Sequence, residues 1–342
     1  MWRFLSVNSH QSSVNNHPLT QAGKIRLLNA NLATLFMTAV VNTAPGLASR
    51  LVNGILAIKP LANLAKHQAR QMMIKRAEKM GVFWTKEVQK LQARDWTTDL
   101  AKIENPHLSY PDYYLTSFHA YETGNLSWQA AFEVESAAYA VHAKIWQDAP
   151  VQGDAKLRQS YHDIVKSRIP NQPQDILDLG CSVGMSTLAL QELYPQAKIT
   201  GLDLSPYFLA VAEYRSQQRQ AQINWVHAPA ESTGLPDTSF DFVSIFLVCH
   251  ELPQSATRQI FAEARRLLRP GGHLAIMDMN PQSEIYKQMP PYILTLLKST
   301  EPYLDQYFAL DIEQTLVDAG FQTPTITRNS PRHRTVIAQV RD

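Results

Sequence analysis

The C-terminal half of the chain alternates short apolar runs with longer segments of helical periodicity. The apolar runs predict strands at Asp175–Gly180, Lys198–Asp203, Ile223–Val226, Asp241–Val248 and His273–Met279. Helices are expected between them at Met185–Leu193, Pro206–Arg219 and Ser255–Leu268, and a last helix at Ile312–Ala319 precedes a closing strand pair, Gln322–Arg328 and Thr335–Val340. Strands that alternate with helices predict an α/β fold with a doubly wound, mostly parallel sheet of seven strands.

The N-terminal part of the chain has the spacing of helices instead. Lys24–Val41 carries apolar residues on one face, a second apolar stripe runs from Leu47 to Ile58, and a third helix is predicted at about Leu61–Met80. Aromatic residues are frequent from Tyr110 to Trp128, and helical spacing returns from Trp128 to Trp146. These patterns divide the chain into a helical, basic region with an aromatic linker, 1–125, and a second unit, 126–342, with its core at 161–342.

Charge separates the same two parts. Residues 1–94 hold 13 Lys and Arg against Glu78 and Glu87, a net charge of +11, so the remainder carries −9 of the formal +2 of the chain. A basic region suggests an anionic partner, either a membrane surface or a nucleic acid. The acidic second part makes a nucleic-acid substrate unlikely there.

An uncharged stretch within the basic region leaves its relation to a membrane open. Arg26 and Arg50 bracket 23 residues without a charge, a length that can span a bilayer, although three asparagines and Pro45-Gly46 weaken that interpretation. The alternatives are a helical pair that lies in the membrane interface and an ordinary helical cap with a solvated positive face. We therefore expect an anionic membrane surface as a partner of residues 1–94, or none.

Cysteine content indicates a reducing compartment. Cys181 and Cys249 both end predicted core strands, which is typical of small buried residues. No cluster of ligands suggests a metal site, and no secretory signal precedes the first helix. The expected location is the cytoplasm, with peripheral membrane association as an option.

The segment Asp175–Thr187, DILDLGCSVGMST, carries the clearest chemical signal. A strand, a tight loop with Gly180 and Gly184, and a helix follow one another, which brings backbone N–H groups toward a ligand. Asp203 ends the next strand, where its carboxylate is placed to accept hydrogen bonds from ribose hydroxyls. Alone, this arrangement fits any mononucleotide-binding unit.

Four motifs in series make the prediction more specific: DLGCSVG, GLDLSPYFLAVA, AESTGLPDTSFDFVSIFLVCHELP and EARRLLRPGGHLAIMD. Over residues 161–340 they resemble the class I S-adenosylmethionine-dependent methyltransferases that act on small molecules. Two positions depart from that family: the usual central glycine of the first loop is Ser182, and Pro229 stands where an adenine-contacting Asp is often found. The resemblance implies a Rossmann-like fold and S-adenosyl-L-methionine as the cofactor.

The resemblance also implies a set of cofactor-binding residues. The loop would face the methionine part, Asp178 would receive its ammonium or else brace the loop, Asp203 would bind the ribose, and Leu204 would press on the adenine. Glu231 and the Ala230 backbone are the candidates for the exocyclic amine. The complete set is Asp178, Gly180, Cys181, Ser182, Gly184, Asp203, Leu204, Ala230 and Glu231.

His250 is the candidate base. It follows the fourth strand, at the sheet edge where ligands of doubly wound folds bind, and Glu251 would orient its ring or cap the next helix. The alternative is a polar residue at a strand–helix junction, because many methyltransferases act mainly by positioning. Asp278, after the fifth strand, would face the acceptor or cap a helix.

The expected reaction is in-line methyl transfer to an oxygen or carbon of a small, apolar or lipid-like acceptor. The aromatic segment would cover that acceptor or simply dock one unit on the other, and Tyr286–Phe308, with its apolar stretch Pro290–Leu297, would cover the pocket. Three other classes stay open at this point. They are a nicotinamide-dependent oxidoreductase, a nucleic-acid methyltransferase and a non-catalytic cofactor-binding scaffold.

Overall fold

The computed structural model describes residues 59–117, 119, 121–146 and 152–341. The predicted helix Lys24–Val41 and the apolar stripe Leu47–Ile58 therefore lie outside the described residues. So does the uncharged stretch between Arg26 and Arg50. Within the described part, no helix is both long and apolar enough to cross a membrane.

The described residues before the sheet are helical. The helices are α1 (Lys59–Lys79), α2 (Trp84–Gln92), α3 (Thr97–Ile103), α4 (Trp128–His142) and α5 (Gly153–Arg168), with one 3₁₀-helical turn at Asp112–Leu115. Ser127 begins α4 because its side chain accepts a hydrogen bond from the Ala130 N–H. The sequence also predicts a helix at Tyr161–Ile169 that leads into the sheet, and in the structure this helix, α5, begins eight residues earlier, at Gly153.

The remaining elements alternate strands and helices. The strands are β1 (Asp175–Leu179), β2 (Lys198–Asp203), β3 (Ile223–His227), β4 (Phe240–Phe246), β5 (Leu268–Met279), β6 (Thr325–Arg328) and β7 (His333–Gln339). The helices are α6 (Met185–Leu193), α7 (Pro206–Gln218), α8 (Gln254–Leu267), α9 (Glu284–Lys287), α10 (Pro291–Thr300), α11 (Leu304–Phe308) and α12 (Ile312–Asp318), with a 3₁₀-helical turn at Cys249–Glu251.

The seven strands form one sheet in the order β3-β2-β1-β4-β5-β7-β6. The first five are parallel, whereas β7 runs antiparallel to β5 and to β6. The prediction of a doubly wound, mostly parallel sheet of seven strands is confirmed. Because strand order reverses between β1 and β4, their carboxyl ends open a crevice for a ligand.

Several strand boundaries differ from the prediction; the sixth strand, for example, begins at Thr325 and not at Gln322. β5 begins at Leu268 and not at His273, because Leu268 pairs with Phe240 and His273 pairs with Phe242, so the Pro270-Gly271-Gly272 sequence forms an irregularity within the strand. β4 ends at Phe246 and not at Val248, since Leu247 has a left-handed backbone (φ +60°). The chain leaves the strand at this point and enters the 3₁₀-helical turn Cys249–Glu251.

The N-terminal helices pack directly on the sheet unit. Trp96 and Phe132, from the start of α3 and from α4, share a buried cluster with Phe208 and Val211 of α7. The Trp96 ring also lies edge-on to Tyr214, with centroids 5.4 Å apart. The boundary at 125/126 remains a prediction, because apolar contacts of this kind join the residues on its two sides.

Candidate active site

Three residues of the loop after β1 have left-handed backbone conformations, and hydrogen bonds to β2 hold the loop. Gly180, Ser182 and Gly184 have φ values of +70°, +51° and +80°. The N–H groups of Gly180 and Cys181 both donate to the Leu202 carbonyl, at 2.8 and 3.0 Å. A serine in this conformation costs about 1–2 kcal/mol relative to glycine, and the hydrogen bond from its N–H to Asp203 offsets part of that cost.

Trp225 of β3 explains why glycines occur in this loop, at Gly184, and in the neighbouring strand β2, at Gly201. A Cβ atom built on Gly201 would lie 2.3 Å from Trp225 Cζ3, and one on Gly184 would lie 2.7 Å from Trp225 Cη2. Any side chain at either position would therefore displace the indole. The Trp225 ring therefore packs closely against both the loop and β2.

Asp203 lies at the point where the loop and the end of β2 meet. Its Oδ2 accepts the Ser182 N–H and its Oδ1 accepts the Ser205 N–H, both at 2.8 Å. Burial raises the pKa of this carboxyl to about 6, although hydrogen bonds from the backbone favour the ionised form. A carboxylate has about four lone-pair sites. The Leu204 N–H also interacts with this carboxylate, so Asp203 can still accept a ribose hydroxyl.

Asp178 is fully buried in β1, next to the loop, and holds the first turn of α6. Its Oδ2 accepts the hydroxyls of Ser186 and Thr187, at 2.6 and 2.7 Å. Its Oδ1 is buried without a hydrogen-bond partner. Burial raises the pKa of Asp178 to about 6. The unpartnered oxygen leaves a position for a donor such as an ammonium or a water molecule.

Residues 105–117, here called the strap, lie over the carboxyl ends of β2 and β3. The Tyr113 hydroxyl donates to Glu231 Oε1 at 2.7 Å, and Glu231 Oε2 is buried without a partner. Leu204 is buried next to Asp203, and Ala230 is half-buried next to Glu231. The structure therefore brings the predicted adenosine-binding residues together and adds Tyr113, which sequence reasoning did not single out.

His250 forms the second part of the site, after β4. Its Nδ1 lies 2.7 Å from Asp278 Oδ1, and its backbone N–H donates to Asp278 Oδ2 at 3.3 Å. Burial acts to lower the pKa of His250, but the carboxylates of Asp278, Glu301 and Glu251 outweigh it and raise the pKa to about 10. Asp278, rather than the predicted Glu251, is the carboxylate that holds the ring.

Glu251 lies near His119, which follows the strap along the chain. The Nε2 of His119 lies 3.2 Å from Glu301 Oε1 and 3.8 Å from Glu251 Oε1. Burial raises the pKa of Glu251 to about 7. His119, Glu301 and Asp278 are separated from His250 by 28 to 131 positions along the chain, so no local spacing could have revealed this cluster.

Buried polar atoms without a hydrogen-bond partner indicate whether the site fits the expected cofactor. Asp178 Oδ1, Ser182 Oγ and Glu231 Oε2 are buried without partners, and all three belong to the predicted cofactor-binding set. Leaving such groups unpaired costs about 1–3 kcal/mol each, which a polar ligand relieves. They fit a ligand with a cationic group and an amine. Among the described residues, no three His, Cys, Asp or Glu side chains are grouped to hold a metal ion.

Comparisons with known proteins agree with this geometry. Residues 177–276 match the family described as a methyltransferase domain. The chain is 29% identical to the demethylmenaquinone methyltransferase of Thermus thermophilus over 37% of this chain and 56% of that enzyme. It is 30% identical to an O-methyltransferase of Penicillium expansum over 55% of this chain and 67% of that enzyme. The chain thus spans about half to two thirds of these relatives.

A solved structure is also similar. The phosphoethanolamine N-methyltransferase 2 of Haemonchus contortus, solved with S-adenosyl-L-methionine, is 17% identical with a TM-score of 0.48, over 68% of this chain and 61% of that one. The Penicillium relative, which is 30% identical and covered over two thirds of its length, shows the family, and the matched domain agrees with it. The chain belongs to the class I S-adenosylmethionine-dependent methyltransferases of the small-molecule type, with S-adenosyl-L-methionine as its cofactor.

Proposed function

We propose that the chain transfers a methyl group to an oxygen, or to a carbon activated by a hydroxyl, of a small apolar or lipid-like acceptor. The observation that carries this proposal is the surroundings of the His250–Asp278 pair. Val248, Tyr286, Leu297 and Phe308 are only partly buried and pack on the core cluster that contains Cys249 and Met279. A charged pair beside half-exposed apolar side chains suits an acceptor with a hydroxyl and an apolar body.

Helix α10 supports an apolar acceptor. Five of its ten residues are apolar or aromatic (Tyr292, Ile293, Leu294, Leu296 and Leu297), yet none of the ten is buried. Such a helix usually buries one face against a core. The Thermus relative is named for demethylmenaquinone, an acceptor class with which these surfaces are compatible.

The bound cofactor would supply an electrophilic methyl group on a sulfonium sulfur, and the neutral thioether is the leaving group. A hydroxyl that accepts this methyl group must lose its proton. His250 would take that proton on Nε2, because Nδ1 faces Asp278. A phenol has a pKa near 10, so proton transfer to an imidazole of similar pKa is nearly balanced in energy.

An acceptor series tests the proposal. We expect kcat/KM for alkylated phenols or quinols to rise with chain length by up to about fourfold per buried methylene, measured as label transfer from methyl-labelled cofactor. Leu297→Ser should flatten this dependence, whereas Ile326→Ser, at an exposed apolar position on the edge strand β6, should not. Methyl transfer to polar amines alone would contradict the proposal.

We also infer a contact with anionic membrane surfaces at the outer side of α1. Met72, Met73 and, beyond the helix, Phe83 are 50%, 38% and 63% exposed. Lys75 and Lys79 are exposed on the same helix. Exposed apolar side chains among lysines are typical of a surface that inserts shallowly between anionic headgroups.

Vesicle flotation of the whole chain tests this contact. We expect it to float with phosphatidylserine-containing vesicles and to be released by high salt, because screening weakens the lysine contribution. The double variant Met72→Ser, Phe83→Ser should float less, while Ile285→Ser, at an apolar position on α9 that is 42% exposed, serves as the control. A chain that stays at the bottom of the gradient with these vesicles would exclude the contact.

A further inference from the structure

We propose that Tyr113 of the strap is a positioning residue for the cofactor, which holds Glu231 so that its second carboxylate oxygen recognises the 6-amino group of adenine. The inference rests on the placement of adenine at Glu231, which is itself a proposal. It assigns a role to a residue 64 positions before the matched methyltransferase domain.

His227 attaches the strap to the sheet in a defined orientation. The Asn105 N–H donates to His227 Nδ1 at 2.8 Å, so the ring proton must be on Nε2. That nitrogen lies 3.0 Å from the Leu204 carbonyl and donates to it. Burial lowers the pKa of His227, which keeps the ring neutral and preserves this bridge. The strap is therefore joined to the ends of both β3 and β2.

The tyrosines continue this attachment toward Glu231. Tyr110 packs on the His227 ring with centroids 6.2 Å apart, and it is stacked on Tyr114 at 6.3 Å. Tyr113 lies edge-on to Tyr303, just before α11, with centroids 6.5 Å apart. The Tyr113 ring thus contacts both its own strap and the helical segment that follows β5. Its hydroxyl is thereby held in a fixed direction, toward Glu231.

The direction of the Tyr113 hydroxyl determines which oxygen of the Glu231 carboxylate remains without a partner. Tyr113 donates to Oε1 at 2.7 Å, while Oε2 is buried without a partner. Burial and the neighbouring Glu231 raise the pKa of Tyr113, so its hydroxyl keeps its proton and remains a donor. A fixed Oε2 is an acceptor only. It would pair with the amine of adenine and repel a carbonyl oxygen in the same position.

Calorimetry with a matched pair of ligands tests the role of Tyr113. S-adenosyl-L-homocysteine and S-inosyl-L-homocysteine differ at purine position 6, where the first has an amine and the second an oxygen. We expect the wild-type chain to prefer the adenosyl ligand by about tenfold or more. Tyr113→Phe should weaken adenosyl binding about fivefold, leave inosyl binding unchanged, and so reduce the preference.

Two further variants make the outcomes distinct. Tyr194→Phe, which removes the hydroxyl of another buried tyrosine at the end of α6, should keep the full preference. Glu231→Gln should abolish it. Loss of the preference in Glu231→Gln but not in Tyr113→Phe would overturn the role of Tyr113 and leave Glu231 in place. An unchanged preference in both would overturn the placement of adenine itself, and tighter adenosyl binding by Tyr113→Phe would show that Tyr113 competes with the cofactor. Melting temperatures establish that each variant is folded.

Discussion

Replacing Asp203 with Ala should weaken the binding of S-adenosyl-L-methionine by at least about tenfold, equivalent to 1.4 kcal/mol. The substitution removes the proposed acceptor of the ribose hydroxyls. It also leaves the N–H groups of Ser182 and Ser205 without their partner, which loosens the loop at Ser182 although the bonds of Gly180 and Cys181 to Leu202 remain. Calorimetric titration with the cofactor and with its demethylated product measures both effects as one change in Kd.

Asp241→Ala is the matched control for this variant. Asp241 also accepts two backbone N–H groups, those of Gln174 and Asp175, at 2.8 and 3.0 Å, but at the amino end of β1. Its loss should lower the melting temperature without changing cofactor affinity. Equal affinity of the wild type and Asp203→Ala would remove the assignment of Asp203 to the ribose.

The same residue predicts how binding depends on pH. Because burial raises the pKa of Asp203 to about 6, the folded chain holds a proton between about pH 4 and 6 that the unfolded chain releases. Ribose hydroxyls favour the ionised form. Cofactor affinity should therefore fall as the pH drops below 6 and be constant above about 7, and binding near pH 6 should release protons. Asp178, with a similar pKa, would make the fall steeper.

Asp278→Asn should lower the maximal methyl-transfer rate by about 10²–10⁴-fold, the range lost when a proton-transfer catalyst is disabled. The carboxylate of Asp278 fixes the His250 ring and its tautomer, whereas an amide can present its NH₂ group to Nδ1 and reverse the tautomer. Cofactor affinity should stay within about twofold, since Asp278 lies on the acceptor side of the proposed site.

A positioning role for Asp278 has a signature in the titration of His250. The pKa of His250 is raised to about 10 because nearby carboxylates outweigh burial, so activity that needs the neutral ring should increase from neutral pH toward 10. Removing the Asp278 charge should shift this increase to lower pH and lower the plateau. The His250 ring resonance in a nuclear magnetic resonance titration measures the same shift without an acceptor. An unmoved resonance would refute the pairing.

The sheet and half of the site could be predicted because their signals are local. The β1 loop and Asp203 lie at the ends of neighbouring strands, and the doubly wound topology alone brings them together. The start of β5 could not be predicted, since Pro270-Gly271-Gly272 is a common turn sequence and only the pairing of Leu268 with Phe240 keeps it within the strand. Periodicity reports on a residue's own element and not on such partners.

The residues around His250 show more clearly what sequence patterns cannot predict. His250 was identified because it follows a strand. The carboxylate that orients its ring was expected to be the adjacent residue, Glu251, whereas in the structure it is Asp278. That choice depends on the register between β4 and β5, in which Phe246 pairs with Met277. The contact between Tyr113 and Glu231 joins residues 118 positions apart. Glu231 was identified from its motif, but no sequence context marks Tyr113 as its partner.

The strap gives the protein a modular organisation. It precedes the matched domain in sequence but lies over the carboxyl ends of β2 and β3, which that domain supplies. Part of the proposed ligand site is therefore encoded apart from the strands. An exchange of the chain between α4 and α5 would carry α1 to α4 and the strap as one cassette, provided that the new α4 keeps its apolar contacts with α7. Recombination at this point offers both evolution and engineering a way to change ligand selection without disturbing the strands.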